Sequence, residues 1–275
     1  MSVTAWETWR EARDKQFREP GTWTSFRSLT WLTAEPVAIP GTPGRWWTDG
    51  DAVHVAPAPD DAEPLVLAET GEPVVAETVV EAGPHHSLWA LRYGGPDSGR
   101  VAVELLFLAD PDGTAHRGVR PRDPENPLVE AFAGIPVFDY DPAWVVTATV
   151  LHHDRPIAAE VGSAQPRLRF RVSVVGEIDL PLPTLPAGDA VTLQVIGERE
   201  GVHEVRFSDT AEGVAPWRTI RFDADDIAAD GTVELDLNLV QNYPSGVAPH
   251  CICPRELPAN RLAIPVPVGE RSARF

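Results

Sequence analysis

Proline and glycine punctuate this chain too densely for long helices. The sequence holds 28 prolines and 21 glycines in 275 residues. Proline fixes φ and removes a backbone donor, so the stretches between these residues suit short strands joined by turns. The opening segment is the exception. Thr4 and Glu7 have capping-box spacing, Trp6 and Trp9 lie one turn apart, Phe17 continues the packing face, and Pro20-Gly21 ends the run. This predicts an N-terminal helix laid against the core by its tryptophans.

From Gly21 onward the pattern is that of short strands. Extended segments are expected at Val37 to Ile39, Ala52 to Val55, Pro64 to Ala68, Pro73 to Val80, Ser87 to Tyr93 and Arg100 to Leu108. Arg117 to Gly134 reads as a charged loop with one short helix around Leu128 to Phe132. Trp144 to His152 returns to strand character. In Leu168 to Val175, Leu168, Phe170, Val172 and Val174 alternate with Arg169, Arg171 and Ser173. Further strands are expected around residues 191–196, 204–207, 219–222 and 232–237. The fold class is therefore mostly β: a β-sandwich or barrel-like arrangement with an N-terminal helix and a long Pro-rich C-terminal loop. The chain is read as a single unit, 1–275. Pro181 to Gly188 is either a linker dividing it into 1–180 and 189–275 or a long hairpin connection.

Hydrophobic residues make up 43% of the sequence, enough for a real core, and the formal net charge is -18. Such a charge repels nucleic-acid phosphates and anionic lipid surfaces, so neither is an expected partner. No apolar run reaches the roughly 18 residues of a membrane span. Met1 to Thr4 lacks the basic and apolar regions of a secretory signal, so a cytoplasmic location is expected. Lys15 is the single lysine. Any cationic site is thus built from arginine, whose planar fork suits carboxylate or phosphate.

The tail is the most distinctive stretch. Asp236-Leu237-Asn238, Asn242, Pro244, Pro249, Cys253-Pro254, Pro258, Asn260-Arg261-Leu262 and Gly269-Glu270 resemble the C-terminal signature of the domain of unknown function 1684 family. Trp31-Leu32, Arg120 to Ile135 and Phe207-Ser208-Asp209-Thr210 with Arg221 resemble three further stretches of that family. Ser245 stands where the family carries its first tail cysteine, and Cys251 is an addition. The resemblance supplies positions; it implies no reaction.

Four kinds of chemistry are weighed on these residues. Arg120, Arg221 and Arg261 either pair as structural salt bridges or hold the carboxylate or phosphate group of a small-molecule ligand. Asp209 and Asp236 are the acid–base candidates, and each also suits a turn. Asn238, Asn242 and Asn260 either lock the Pro-rich loop or orient a polar ligand. Cys253 is a nucleophile candidate, or a packed structural residue. His250, Cys251 and Cys253 offer three metal-ligand types in four residues, but a second ligand pair is not evident and no metal is assigned. His85-His86 and His152-His153 contribute only if the fold brings them near. Walker, Rossmann, G-x-S-x-G and H-E-x-x-H patterns are absent, so no cofactor is expected. The resulting expectation is a small-anion pocket at one end of a β fold. Its rival is a non-catalytic interaction module with a structural Arg/Asp cluster.

Overall fold

The computed structural model describes residues 3–19, 21–81, 86–95 and 99–273. The expected helix forms as α1, Val3–Arg18. His85 lies outside the described residues.

One compact unit comprises residues 17–132 with 248–250. Its strands are β1 (Thr30–Trp31), β2 (Val37–Ile39), β3 (Thr42–Asp49), β4 (Ala52–Ala56), β5 (Val66–Leu67), β6 (Thr78–Val80), β7 (Ser87–Tyr93), β8 (Val101–Ala109) and β9 (Ala115–Arg122). They make an antiparallel sheet of order β2-β3-β4-β6 and another of order β1-β9-β8-β7-β5. Trp46, Val53 and Val55 from the first meet Leu91, Val103, Leu105 and Val119 from the second in one buried cluster. Apolar faces of two sheets buried against each other are the signature of a sandwich.

One segment of this unit differs from expectation. Arg117 to Arg122, read as loop, is the strand β9, paired with β8 from Ala109↔Ala115 to Ala102↔Arg122. Its arginines find internal partners: Arg117 donates to Asp51 and to the carbonyls of Leu108 and His116. Pairing removes the cost that made a buried strand of this composition look unfavourable. The short helix expected next is present as α2, Pro127–Ala131.

The second unit gathers the residues up to 16, then 133–247 and those from 251 onward. Its sheet has the order β15-β10-β11-β12-β13-β14-β16. The strands are β10 (Val145–Gly162), β11 (Arg169–Leu180), β12 (Val191–Gly197), β13 (Val202–Phe207), β14 (Arg218–Asp223), β15 (Thr232–Asp236) and β16 (Gln241–Asn242). Residues 181–190 join β11 to β12, which pair antiparallel from Leu180↔Val191 inward.

The main core of this unit takes Ala148, Val150, Ile178, Leu193, Val205, Phe207, Ile220 and Val233 from the strands, and Val240, Val266 and Val268 from the tail. Register shifts between His152 and Ile157 and between Val174 and Gly176 divide β10 and β11. Beyond them, Val161, Val174 and Ile196 form a smaller cluster with Leu257. Residues 262–268 pair as no strand among the described residues. Backbone bonds from Leu262 N to Ser208 O at 2.8 Å and from Thr210 N to Ile264 O at 3.3 Å hold them, flanked by single bridges at Ser208↔Arg261 and Val137↔Glu270. The fold is thus mostly β and sandwich-like, and no sheet closes into a barrel among the described residues. No helix among them is long and apolar enough to cross a membrane.

Candidate functional site

Strand alternation puts Val205, Phe207, Ile220 and Phe222 into the main core. The same alternation turns Glu204, Arg206, Thr219 and Arg221 to the other face, where Glu204 lies opposite Arg221 and Arg206 opposite Thr219. That face is not solvent. Glu204 is 0% exposed. Its Oε1 accepts from Thr219 Oγ1 at 2.9 Å, from Arg221 Nε at 3.1 Å and from the Tyr243 hydroxyl. Its Oε2 accepts from Arg206 Nε at 2.8 Å, and Arg206 Nη2 also reaches Glu198 at 2.6 Å. Burial pushes the Glu204 carboxyl up, but the charges of Arg206 and Arg221 outweigh it and hold it below the ordinary value. Burial and the Glu204 charge together push the Tyr243 phenol far up. Arg221 is the one named sequence candidate in this cluster, and its side chain remains half-exposed.

Asp209 and Arg218 form a second buried group. Arg218 Nη2 meets Asp209 Oδ2 at 2.7 Å and the Val266 carbonyl at 2.7 Å, while Nη1 donates to the carbonyls of Val268 and Glu270. The other Asp209 oxygen accepts from Ala211 N at 2.8 Å and Val266 N at 3.1 Å. One guanidinium therefore organises residues 266–270, which no ladder holds. The close approach also needs Gly269: its φ is +74°, and a Cβ there would lie 2.3 Å from the Val240 oxygen. Glu270 pairs with Arg13 at 2.9 Å and accepts from Asn242 N at 2.6 Å. Burial raises its carboxyl above the ordinary value despite Arg13.

The three asparagines each bridge chain segments. Asn260 Oδ1 accepts from Gln194 N at 2.7 Å, and its Nδ2 donates to the carbonyls of Gln194 and Arg206 at 2.9 Å each. Asn238 exchanges hydrogen bonds with the backbone of Asp141 and donates to Asp236 Oδ1 at 2.8 Å. Asn242 Nδ2 donates to the Arg271 carbonyl at 2.8 Å. Asp236 also accepts from Asn238 N at 3.0 Å and from the Tyr140 hydroxyl at 3.4 Å.

Arg120 belongs to the other unit. There it pairs with Glu104 at 2.8 Å, donates to the His250 carbonyl at 3.2 Å and lies 4.1 Å above the Phe26 ring. Arg122 meets the same Glu104 oxygen at 3.1 Å. Burial raises Glu104, but Arg120 and Arg122 prevail and hold it below its ordinary value. A lowered folded-state pKa stabilises fully above the unfolded value, and that contribution is lost as pH falls through the folded one. Glu104→Gln is therefore expected to flatten the fall in unfolding free energy below about pH 4.5. Denaturant titrations across the acid range check this; an unchanged slope sinks it.

One concave feature adjoins the tail. A cleft of about 190 Å³ is lined by Ser163, Ala164, Ala215, Pro216, Trp217, Ser245, Gly246 and Arg255. The Arg255 guanidinium lies 4.9 Å over the Trp217 ring, and Trp217 Nε1 is anchored on the Pro254 carbonyl at 3.0 Å. Buried Glu256 sits between two arginines, meeting Arg255 Nε at 3.5 Å and Arg261 Nε at 3.1 Å. The hydrogen bonds to Glu256 come from Nε of each arginine, and their side chains are 42% and 60% exposed. The Ser245 hydroxyl is buried with no hydrogen-bond partner among the described residues. Cys253 is half-buried and Cys251 buried. Among the described residues no group of three or more His, Cys, Asp or Glu side chains is placed to hold a metal.

Of the sequence candidates, Arg221, Asn238, Asn242, Asn260, Arg261, Asp209, Asp236 and Cys253 fall in the second unit. Glu204, Arg206, Arg218, Trp217, Arg255 and Glu256 were missed. The Glu204-x-Arg206 pair carries a sequence signal, a charge repeat of two along a strand. It reads as a solvent face until Tyr243 and Asn260 are placed against it.

The family model described as "Protein of unknown function (DUF1684)" matches residues 130–271. No curated protein matches the chain. Among solved structures, the solution NMR structure of an uncharacterized protein of Haloarcula marismortui is 25% identical with a TM-score of 0.41, covering 52% of this chain and 78% of that one.

Proposed function

Because this chain belongs to the DUF1684 family, whose description assigns no activity, we propose its function from the site: it binds a small anionic metabolite in the cleft of Trp217, Ser245 and Arg255. The observation that carries this is Arg255, which lines the cleft and meets Glu256 through Nε, with the outer edge of its guanidinium beside a Ser245 hydroxyl that lacks a partner among the described residues. A planar fork of this kind suits a carboxylate or phosphate group, and stacking on Trp217 fixes it in orientation. Asp209, Asp236 and the asparagines hold the tail that frames the cleft. In this reading binding, and not proton transfer, is their contribution.

A panel of organic acids and phosphate esters tested by thermal shift is expected to yield at least one stabilising compound. At a ligand concentration about 100-fold above Kd the gain is about 2.7 kcal/mol. Arg255→Ala is expected to abolish that shift while changing basal stability by no more than about 0.5 kcal/mol, as for other half-exposed positions. Absence of any hit overturns the proposal. That outcome supports the second reading, an interaction module with a structural cluster, which the buried and paired state of Arg120, Arg206 and Arg218 favours.

A further inference from the structure

His152 and His203 stand on strands that are not neighbours, since β11 and β12 lie between β10 and β13 in the sheet. Their Nε2 atoms are nevertheless 3.1 Å apart, with the rings inclined at 70°. The register partner of His152 is Gly176, and a Cβ there would fall 2.4 Å from the Leu151 oxygen. His203 is 8% exposed and edge-on to Phe222 at 5.5 Å, so its ring is held; His152 is exposed.

Two imidazoles at this distance share either one proton or one ion. Nitrogens bound at about 2.0–2.1 Å to a single metal are about 2.9 Å apart at a right angle and about 3.4 Å apart at the tetrahedral angle. The observed spacing falls between these limits, so an ion replaces the shared proton with shifts of a few tenths of an ångström. We propose that His152 and His203 form a two-imidazole site for a divalent transition-metal ion of the zinc and copper class, with water or an exogenous donor in the remaining positions. The site is independent of the anion cleft. Two protein ligands make an exchangeable site, not a structural one.

The test is a calorimetric titration of the full chain with Zn(II) alone. Wild type and His153→Ala, which removes the adjacent histidine on the opposite side of the strand, are expected to bind one equivalent alike. His152→Ala, at an exposed position that leaves the core intact, is expected to bind at least tenfold more weakly. Equal binding by His152→Ala, absence of binding by wild type, or loss of binding in Cys253→Ser instead would each overturn the site.

Discussion

Glu204→Ala is expected to cost the second unit about 3–5 kcal/mol, because it leaves Arg206 as a buried charge without its main counter-ion. The carboxylate is fully buried and takes hydrogen bonds from Thr219, Arg206, Arg221 and Tyr243. Glu198 is a poorer counter-ion, because its side chain is 40% exposed. Tyr243→Phe removes one donor and leaves the charges balanced, so it is expected to cost only about 1–2 kcal/mol. Chemical denaturation of the three proteins gives both numbers. A loss below about 1 kcal/mol for Glu204→Ala would place the cluster with ordinary surface pairs and defeat the argument.

The second large effect is expected at Arg218. Arg218→Met leaves Asp209 without its partner and strips hydrogen bonds from the carbonyls of Val266, Val268 and Glu270. A loss of about 3–5 kcal/mol follows. The diagnostic measurement is the cycle with Asp209→Asn. If Asp209 acts through Arg218, the double variant is less destabilised than the sum of the singles by about 0.5–3 kcal/mol. Additive losses would show that the two residues act separately. A near-neutral Asp209→Asn that also removed the ligand-induced shift would return Asp209 to the role of a site residue.

The strands with clean alternation were legible in the sequence. Val172 and Val174 share a face as the Arg169-Phe170-Arg171 pattern implies, and the 145–150 segment delivers Ala148 and Val150 to the core. The N-terminal helix was legible for the same reason, a local pattern with a local cause. β9 was not, because a strand of arginines becomes tolerable only once Glu104 and Asp51 are opposite it. The site was half legible. Arg261 and the three asparagines stand in motifs, but Arg255 and Trp217 are unremarkable in sequence and acquire meaning from stacking across 38 positions. His152 and His203, 51 residues apart, meet although two strands lie between theirs in the sheet. Local pattern reports which face a residue takes; it is silent on what arrives to cover that face.

The second unit is interrupted in sequence by the first. Its α1 portion is tied to chain made far later: Trp6 bonds the Asn238 carbonyl across 232 positions, and Arg13 meets Glu270 across 257. The sandwich between them, almost wholly within residues 17–132, can close while the ribosome is still reading the rest. The helix, translated before the sandwich, docks only after residues as late as Glu270 have been made. Until then its Trp6 face is an exposed amphipathic surface, and long-range contacts of this span make assembly slow. The interruption of one unit by the other therefore leaves the earlier-made helix waiting for partners supplied by the end of the second unit.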